Sequence, residues 1–118
     1  MNFTLVYITA SKRVEARRIG KALLREHLVA CINLVGPIES HYWWRGKVET
    51  AREWLLLAKT RATLTKIVIK RVKALHSYQT PCVVALPLKD GNPDFLKWLA
   101  AETQPPVSRA GRRASRNG

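Results

Sequence analysis

Three side chains in the sequence could together bind a soft metal ion, namely Cys31, His76 and Cys82. Thiolate sulfur and imidazole nitrogen are ligands that suit Cu(I) and Zn(II). Their spacing adds little support, because the chain has neither a Cys-x-x-Cys nor a His-x-x-x-His motif. The alternative interpretation is that both cysteines are small buried residues and that His76 is favoured by the dipole at the end of a helix.

The patterns of common enzyme sites are missing from the sequence. It has no paired carboxylates, no Gly-rich phosphate loop and no nucleophile elbow. A catalytic pair of Cys31 and His76 is conceivable in chemical terms. The predicted topology, described next, places these two residues apart in one subunit. We therefore expect a protein that is not an enzyme.

Hydrophobic periodicity and turn residues predict a β-α-β-β-α-β order followed by a short helix. This order is typical of the ferredoxin-like α+β sandwich, which has a four-stranded antiparallel sheet with both main helices on one face. A Gly36-Pro37 step predicts a bulge or bend in the second strand, and Gly46 a hairpin turn. The predicted strands cover residues 3–10, 31–44, 48–60 and 82–88, and the predicted helices cover residues 12–27, 62–76 and 93–102.

This topology separates the candidate metal ligands. Cys31 begins the second strand and Cys82 the fourth, and these strands are the opposite edges of a ferredoxin-like sheet. The two strands also begin at opposite ends of the sheet. A site that used both thiols would therefore have to lie between subunits, whereas His76 and Cys82 flank one short connection.

Two predicted strands are apolar on both faces. Residues 54–58 and 82–86 contain no polar alternation, although a sheet covered on one side normally alternates. Trp43 and Trp44 are adjacent, so they too point to opposite faces. Because soluble monomers rarely expose large apolar patches, we predict self-association. The alternative is that the C-terminal helix covers the second face alone.

Charge and composition indicate one basic, cytoplasmic domain. The 118 residues carry a formal net charge of +13, and residues 104–118 contribute four arginines and no acid. We predict a single domain over residues 1–103 and a disordered basic tail over 104–118. The N-terminus lacks the basic segment and the length of a signal peptide or membrane span, so no membrane partner is expected.

A nucleic-acid-binding module is the competing interpretation, because the RRM has the same element order and a basic surface. An RRM needs a basic-Gly-aromatic run in its third strand to stack bases. Here that strand reads Glu53-Trp54-Leu55-Leu56-Leu57, so the stacking platform is missing. Nucleic acid is therefore not expected as a specific partner, although the tail could bind it with strong salt dependence.

Several blocks of the sequence, in order, resemble the CutA divalent-cation-tolerance family. They cover about residues 5–103, and each alone is a weak signal, whereas the set is specific. The blocks are Leu28-Val29-Ala30-Cys31-Ile32-Asn33, Tyr42-Trp43-Trp44-Arg45-Gly46-Lys47, Leu56-Leu57-Ala58-Lys59-Thr60, His76-Ser77-Tyr78-Gln79-Thr80-Pro81, Ala85-Leu86-Pro87, Asp90-Gly91-Asn92-Pro93 and Trp98-Leu99.

The resemblance implies a homotrimer of ferredoxin-like subunits, similar in architecture to the PII signalling proteins. It also implies tolerance of divalent metals, copper especially, with copper bound as Cu(I) or Cu(II) and no catalytic reaction. A PII-like scaffold for another partner is a further alternative. The family-typical polar positions are Cys31 and His76, with a cleft or interface group of Trp43, Trp44, Lys59 and Tyr78 nearby.

One position departs from the family pattern. Members usually carry Glu after the proline of the Tyr-x-x-Pro block, where this chain has Cys82. A thiol replaces a hard oxygen ligand, and this favours Cu(I) or Zn(II) over harder cations.

Overall fold

The strands and helices follow the predicted order. The structure is a computed structural model that describes residues 1–104, so the predicted tail lies outside the described residues except for Gln104. The elements are β1 (Phe3–Ala10), α1 (Arg13–Arg25), β2 (Cys31–Trp44), β3 (Lys47–Arg61), a 3₁₀ turn (Ala62–Leu64), α2 (Thr65–Leu75), β4 (Val83–Leu88) and α3 (Pro93–Glu102).

The four strands form one antiparallel sheet in the order β2-β3-β1-β4. Val6 lies opposite Ala58 and Ile8 opposite Leu56, so these four side chains share one face of the sheet. That face meets the apolar stripes of α1 and α2 in a single fully buried core. The predicted ferredoxin-like α+β fold is therefore confirmed.

Helix α1 lies close against the sheet and ends in a defined cap. A Cβ atom at Gly20 would lie 2.6 Å from Cδ1 of Ile32, so a larger residue would require Ile32 or the helix to move. At the C-terminus, His27 has a φ of 56° and Leu28 N–H donates to Leu23 O at 3.0 Å. This is the Schellman pattern, which normally has glycine at the left-handed position. It ends α1 two residues before the predicted boundary.

The β2–β3 hairpin extends well beyond the core. The register shifts between Val35 and Ile38, where the Gly36-Pro37 step lies, and this confirms the predicted bulge. Arg45 and Gly46 form the turn with φ angles of 53° and 81°, as a two-residue hairpin of this type requires. Every residue from 41 to 50 is exposed. The hairpin tip is therefore an exposed arm that projects beyond the core of the single chain.

The second face of the sheet, here called the outer face, keeps a large apolar surface. Its side chains include Val84 and Leu86, which are 51% and 46% exposed. Helix α3 covers only the end of this face near Arg61, whose guanidinium donates to Ala100 O and Thr103 Oγ1. The register places the following central residues on the outer face: Leu5, Tyr7, Leu55, Leu57, Val84 and Leu86.

The buried hydroxyl of Thr60 ties β3 to the loop before β2. Thr60 Oγ1 donates to Leu28 O at 2.6 Å.

Thr60→Val keeps the shape of the side chain but removes this donor, so we expect the free energy of unfolding to fall by about 1–3 kcal/mol. Urea unfolding measures it. The exposed Thr63→Val is the control and should change stability by less than about 0.5 kcal/mol. Equal effects in both variants would contradict the role of the Thr60 hydrogen bond.

Candidate metal-binding and assembly site

Cys31 and Lys59 lie opposite each other on β2 and β3, on the outer face. Lys59 Nζ is 3.7 Å from Cys31 Sγ and 3.4 Å from Asn33 Oδ1. The same ammonium group lies 5.9 Å from the centroid of the Phe95 ring on α3. The thiol of Cys31 is therefore half-buried beside a cation, at the end of the outer face that α3 approaches.

His76 is completely enclosed, with a side-chain exposure of 0%. Its Nε2 lies 2.7 Å from Thr9 O, which can only accept, and its Nδ1 lies 3.1 Å from Tyr78 N, which can only donate. These partners fit a ring that donates from Nε2 and accepts at Nδ1. Both nitrogens are engaged, so in this conformation neither offers a lone pair to a metal. The ring joins β1 to the connection between α2 and β4, and the role of His76 as a metal ligand stays a prediction.

Glu15 completes the hydrogen-bond network around His76. Its Oε2 accepts from Ser77 N at 2.7 Å and lies 3.6 Å from His76 Nδ1. Burial raises the pKa of this carboxyl, but hydrogen bonds from Ser77, the nearby His76 ring and the charge of Arg18 together outweigh burial, so the pKa falls below its ordinary value of 4.5. Glu15 thus holds the start of the connection to β4.

Tyr78 and Glu53 form a second polar pair on the opposite side of this connection. The Tyr78 hydroxyl donates to Glu53 Oε2 at 2.8 Å. Burial, followed by the hydrogen bond to this carboxylate, raises the pKa of Tyr78. The phenol therefore stays protonated at neutral pH and keeps donating to Glu53. The pair closes the floor of a cleft between the hairpin arm and the 77–82 connection.

That cleft has a volume of about 730 Å³ and opens onto the outer face. Its lining combines aromatic rings, two carboxylates and one thiol. Cys82 is exposed at its edge. The residues that matter for its chemistry are Tyr7, Glu39, His41, Trp44, Glu53, Tyr78 and Cys82.

The structure does not bring the two cysteines together in one chain. Cys31 begins β2 on one edge of the sheet, and Cys82 precedes β4 on the other edge, level with Thr9. Three strand spacings and four residues along the strands separate them, roughly 19 Å. Within residues 1–104, no three His, Cys, Asp or Glu side chains are grouped closely enough to hold a metal ion.

The predicted cleft or interface group is divided by the structure. Trp44 and Tyr78 line the cleft, and Arg45 lies 5.3 Å from the Trp44 ring. Trp43, which is 74% exposed, points to the other side of the arm, and Lys59 lies beside Cys31. The four residues therefore belong to three separate places on one subunit.

Sequence reasoning missed both carboxylates, Glu15 and Glu53. Glu15 had a usable signal, since it lies four and eight residues before Ile19 and Leu23, on the apolar stripe of a basic helix. An acid in that position needs a polar partner inside the protein. Glu53 gave no comparable signal, because its partner Tyr78 is 25 residues away.

The geometry defines a class of protein: a ferredoxin-like subunit with an apolar outer face and a cleft beside it. Residues 4–102 match the CutA1 family, described as "CutA1 divalent ion tolerance protein". The chain belongs to this CutA family, as the sequence blocks indicated.

Relatives from distant organisms are similar over nearly the whole domain. The divalent-cation tolerance protein CutA of Archaeoglobus fulgidus is 47% identical over 94 residues, which cover 80% of this chain and 91% of that protein. The CutA of Thermus thermophilus is 44% identical over 99 residues, covering 84% and 96%. The chloroplastic CutA 1 of rice is 44% identical, and there the match covers 85% of this chain but only 56% of the rice protein.

Solved structures of the family have the same fold. The A. fulgidus structure superposes with a TM-score of 0.84 at 43% identity and covers 86% of this chain and 99% of that chain. The rice CutA1 structure gives 0.85 at 42% identity, covering 88% and 95%. The A. fulgidus protein is described as periplasmic and the rice protein as chloroplastic, so the cytoplasmic location of this chain stays a prediction. In the part of the chain that the structure describes, no helix is long and apolar enough to cross a membrane.

The depressed pKa of Glu15 predicts a pH-dependent stability. The Glu15→Gln variant loses the charge but keeps an acceptor for Ser77, so we expect a loss of about 1–2 kcal/mol in the free energy of unfolding at neutral pH. A depressed folded-state pKa contributes stability above the ordinary value of 4.5, and this contribution is lost as the pH falls through the lower folded-state pKa. The difference between wild type and variant should therefore shrink in acid.

Urea unfolding at about pH 7 and about pH 3 measures this difference. Glu49→Gln, at an exposed position of β3, controls for the loss of one negative charge. A deficit of the same size at both pH values would show that the ionised form of Glu15 is not responsible.

Proposed function

We propose that this chain acts in divalent-cation tolerance as a non-enzymatic homotrimer that binds copper at clefts between its subunits. The name of its family and of its relatives supports the role in tolerance. The observation that carries the rest of the proposal is the outer face, where an uncovered apolar sheet adjoins a cleft that has an exposed thiol at its edge.

Assembly through the outer face follows from the energy of apolar burial. Val84 and Leu86 are each about half exposed in the single chain, next to the half-buried Leu55 and Leu57. Burial of apolar surface contributes about 25 cal/mol per Å² in favour of association, and this contribution has to exceed the loss of translational and rotational freedom of the subunits. β4 lies at an edge of the sheet, so its outer row of backbone N–H and C=O groups can hydrogen-bond to a strand of another subunit.

Cys82 is the thiol that we assign to copper. It is exposed at the cleft, whereas Cys31 is half-buried and close to Lys59, and His76 has partners on both nitrogens. His76 then acts as a positioning residue, because its ring holds the 77–82 connection on β1. The complementary ligands would come from a neighbouring subunit, since a thiolate with imidazole or further sulfur is the set that Cu(I) prefers.

The solution mass tests the assembly. Light scattering on a size-exclusion column should give about three times the chain mass of 13.4 kDa. Val84→Lys should shift the protein toward monomer, because it places a charge in the interface. Ile67→Lys is the matched control, since Ile67 is 50% exposed but lies on α2, away from the outer face. A trimer that survives Val84→Lys, or a wild-type monomer, would contradict the proposal.

Copper titration tests the ligand. Cys82→Ser should weaken Cu(I) affinity at least tenfold, equivalent to about 1.4 kcal/mol. Cys31→Ser makes the same chemical change at the other cysteine and should retain the wild-type affinity. Competition with a chromophoric Cu(I) chelator measures both. Equal losses in the two variants would instead place both thiols in one site between subunits, and no loss in either would exclude thiol ligation.

A further inference from the structure

The helix layer, defined here as residues 12–27 and 62–76, carries almost all the net charge of the domain. It contains ten basic and two acidic residues, a net charge of +8. The remaining residues up to 104 contain seven basic and six acidic residues, a net charge of +1. The positive charge is therefore concentrated on one side of the molecule, opposite the outer face.

Both acids of the helix layer already have protein partners. Glu26 receives three hydrogen bonds from the Arg71 guanidinium, the shortest at 2.8 Å. Glu15 is buried and bonded to Ser77. Arg18 lies 3.9 Å from Glu15 Oε2 and also donates to Leu75 O. Among the described residues, the lysines of the layer have no ion pair with either carboxylate, so they face solvent with little opposing charge.

The exposed cations form two regular ridges. On α2, Lys66, Lys70 and Lys73 are four and three residues apart, the spacing that places side chains on one helix face. On α1, the exposed Arg18, Lys21 and Arg25 are three and four residues apart, so they also lie on one helix face. Each ridge is about 10 Å long at 1.5 Å per residue, the length of about three phosphate steps along one strand of duplex DNA.

The two ridges each contribute one residue to a shallow cleft of about 520 Å³, Arg25 from α1 and Lys70 from α2. The Arg71–Glu26 ion pair also lines this cleft. We propose that the helix layer binds the phosphate backbone of duplex nucleic acid without sequence preference. Its regular, one-sided positive charge matches a regularly charged polyanion. The surface is separate from the proposed assembly face, so both could be occupied at once.

Nucleic acid fits this layer better than a lipid surface does. Interfacial helices anchor through a continuous apolar face, or need added lipid chains. The large apolar side chains exposed on α1 and α2, among the residues described, are Val14 and Ile67, one on each helix. They form no insertion face, whereas the cations form two ridges.

Two lysine variants of the full-length protein test the proposal. The helix variant replaces Lys66, Lys70 and Lys73 with Gln. The control variant replaces Lys47, Lys89 and Lys97, which are exposed lysines outside the helix layer. Both variants lose three positive charges and keep the arginines of the tail, so differences between them report only the position of the charge.

The measurement is fluorescence anisotropy with a 20-base-pair duplex DNA of mixed sequence, at several salt concentrations. The helix variant should bind at least tenfold more weakly than wild type at about 0.1 M salt. Its slope of log affinity against log salt should fall by about 2.7, since each lost phosphate contact lowers it by about 0.9. The control variant should keep most of the wild-type affinity and slope, and a duplex of scrambled sequence should bind wild type equally.

Three results would overturn the proposal. One is that wild type does not bind the duplex at about 50 mM salt. Another is that both variants lose affinity equally, which would mean that total charge decides binding. The third is preferential binding to vesicles containing phosphatidylserine, lost in the helix variant, with no binding to DNA, which would assign the layer to a membrane surface.

Discussion

The sheet in this fold has two apolar faces, but the chain supplies helices for only one of them. α1 and α2 cover the centre of the inner face, and residues such as Ile8 and Leu56 are fully buried there. α3 reaches only one end of the outer face. The rest of that face, with Val84 and Leu86 half exposed, is the surface that a second copy would bury. The proposed assembly depends on this imbalance.

The polar network behind the sheet determines where the cleft lies. His76 is bonded to Thr9 O and receives Tyr78 N–H, and Glu15 receives Ser77 N–H. Removal of one partner from such a buried network leaves another polar group unsatisfied, which is costly in a low dielectric. The network therefore fixes the connection to β4, and with it Tyr78 at the cleft floor and Cys82 at its edge.

The sequence predicts the fold well because local signals agree with the global topology. The hydrophobic periods, the Gly36-Pro37 bulge and the turn at Gly46 each specify a local shape, and together they allow one antiparallel sheet. The doubly apolar strands also predict the uncovered face. Successive strand residues point to opposite faces, so a continuous apolar run places apolar side chains on both faces. The separation of Cys31 from Cys82 follows in the same way from strand order alone.

The candidate site is less predictable, because it depends on side-chain partners far apart in sequence. His76 suggests a ligand by residue type, whereas its hydrogen bond to Thr9 O, 67 positions away, has no local signal in the sequence. The pairing of Tyr78 with Glu53 likewise has no local signature. Residue type states what chemistry a side chain can do, whereas burial and partners decide whether it is free to do it.

The distribution of charge makes a basic chain compatible with self-association. Net charge of one sign opposes the approach of identical subunits. Here the cations are concentrated on the helix layer, and the rest of the domain is nearly neutral. In an assembly through the outer faces, at least two sheet layers separate the helix layers of neighbouring subunits, and packed layers are spaced by about 10 Å. The separation between the helix layers therefore exceeds the Debye length, which is about 8 Å at physiological salt. Repulsion between the layers is therefore largely screened, while each layer still attracts a polyanion that approaches it directly.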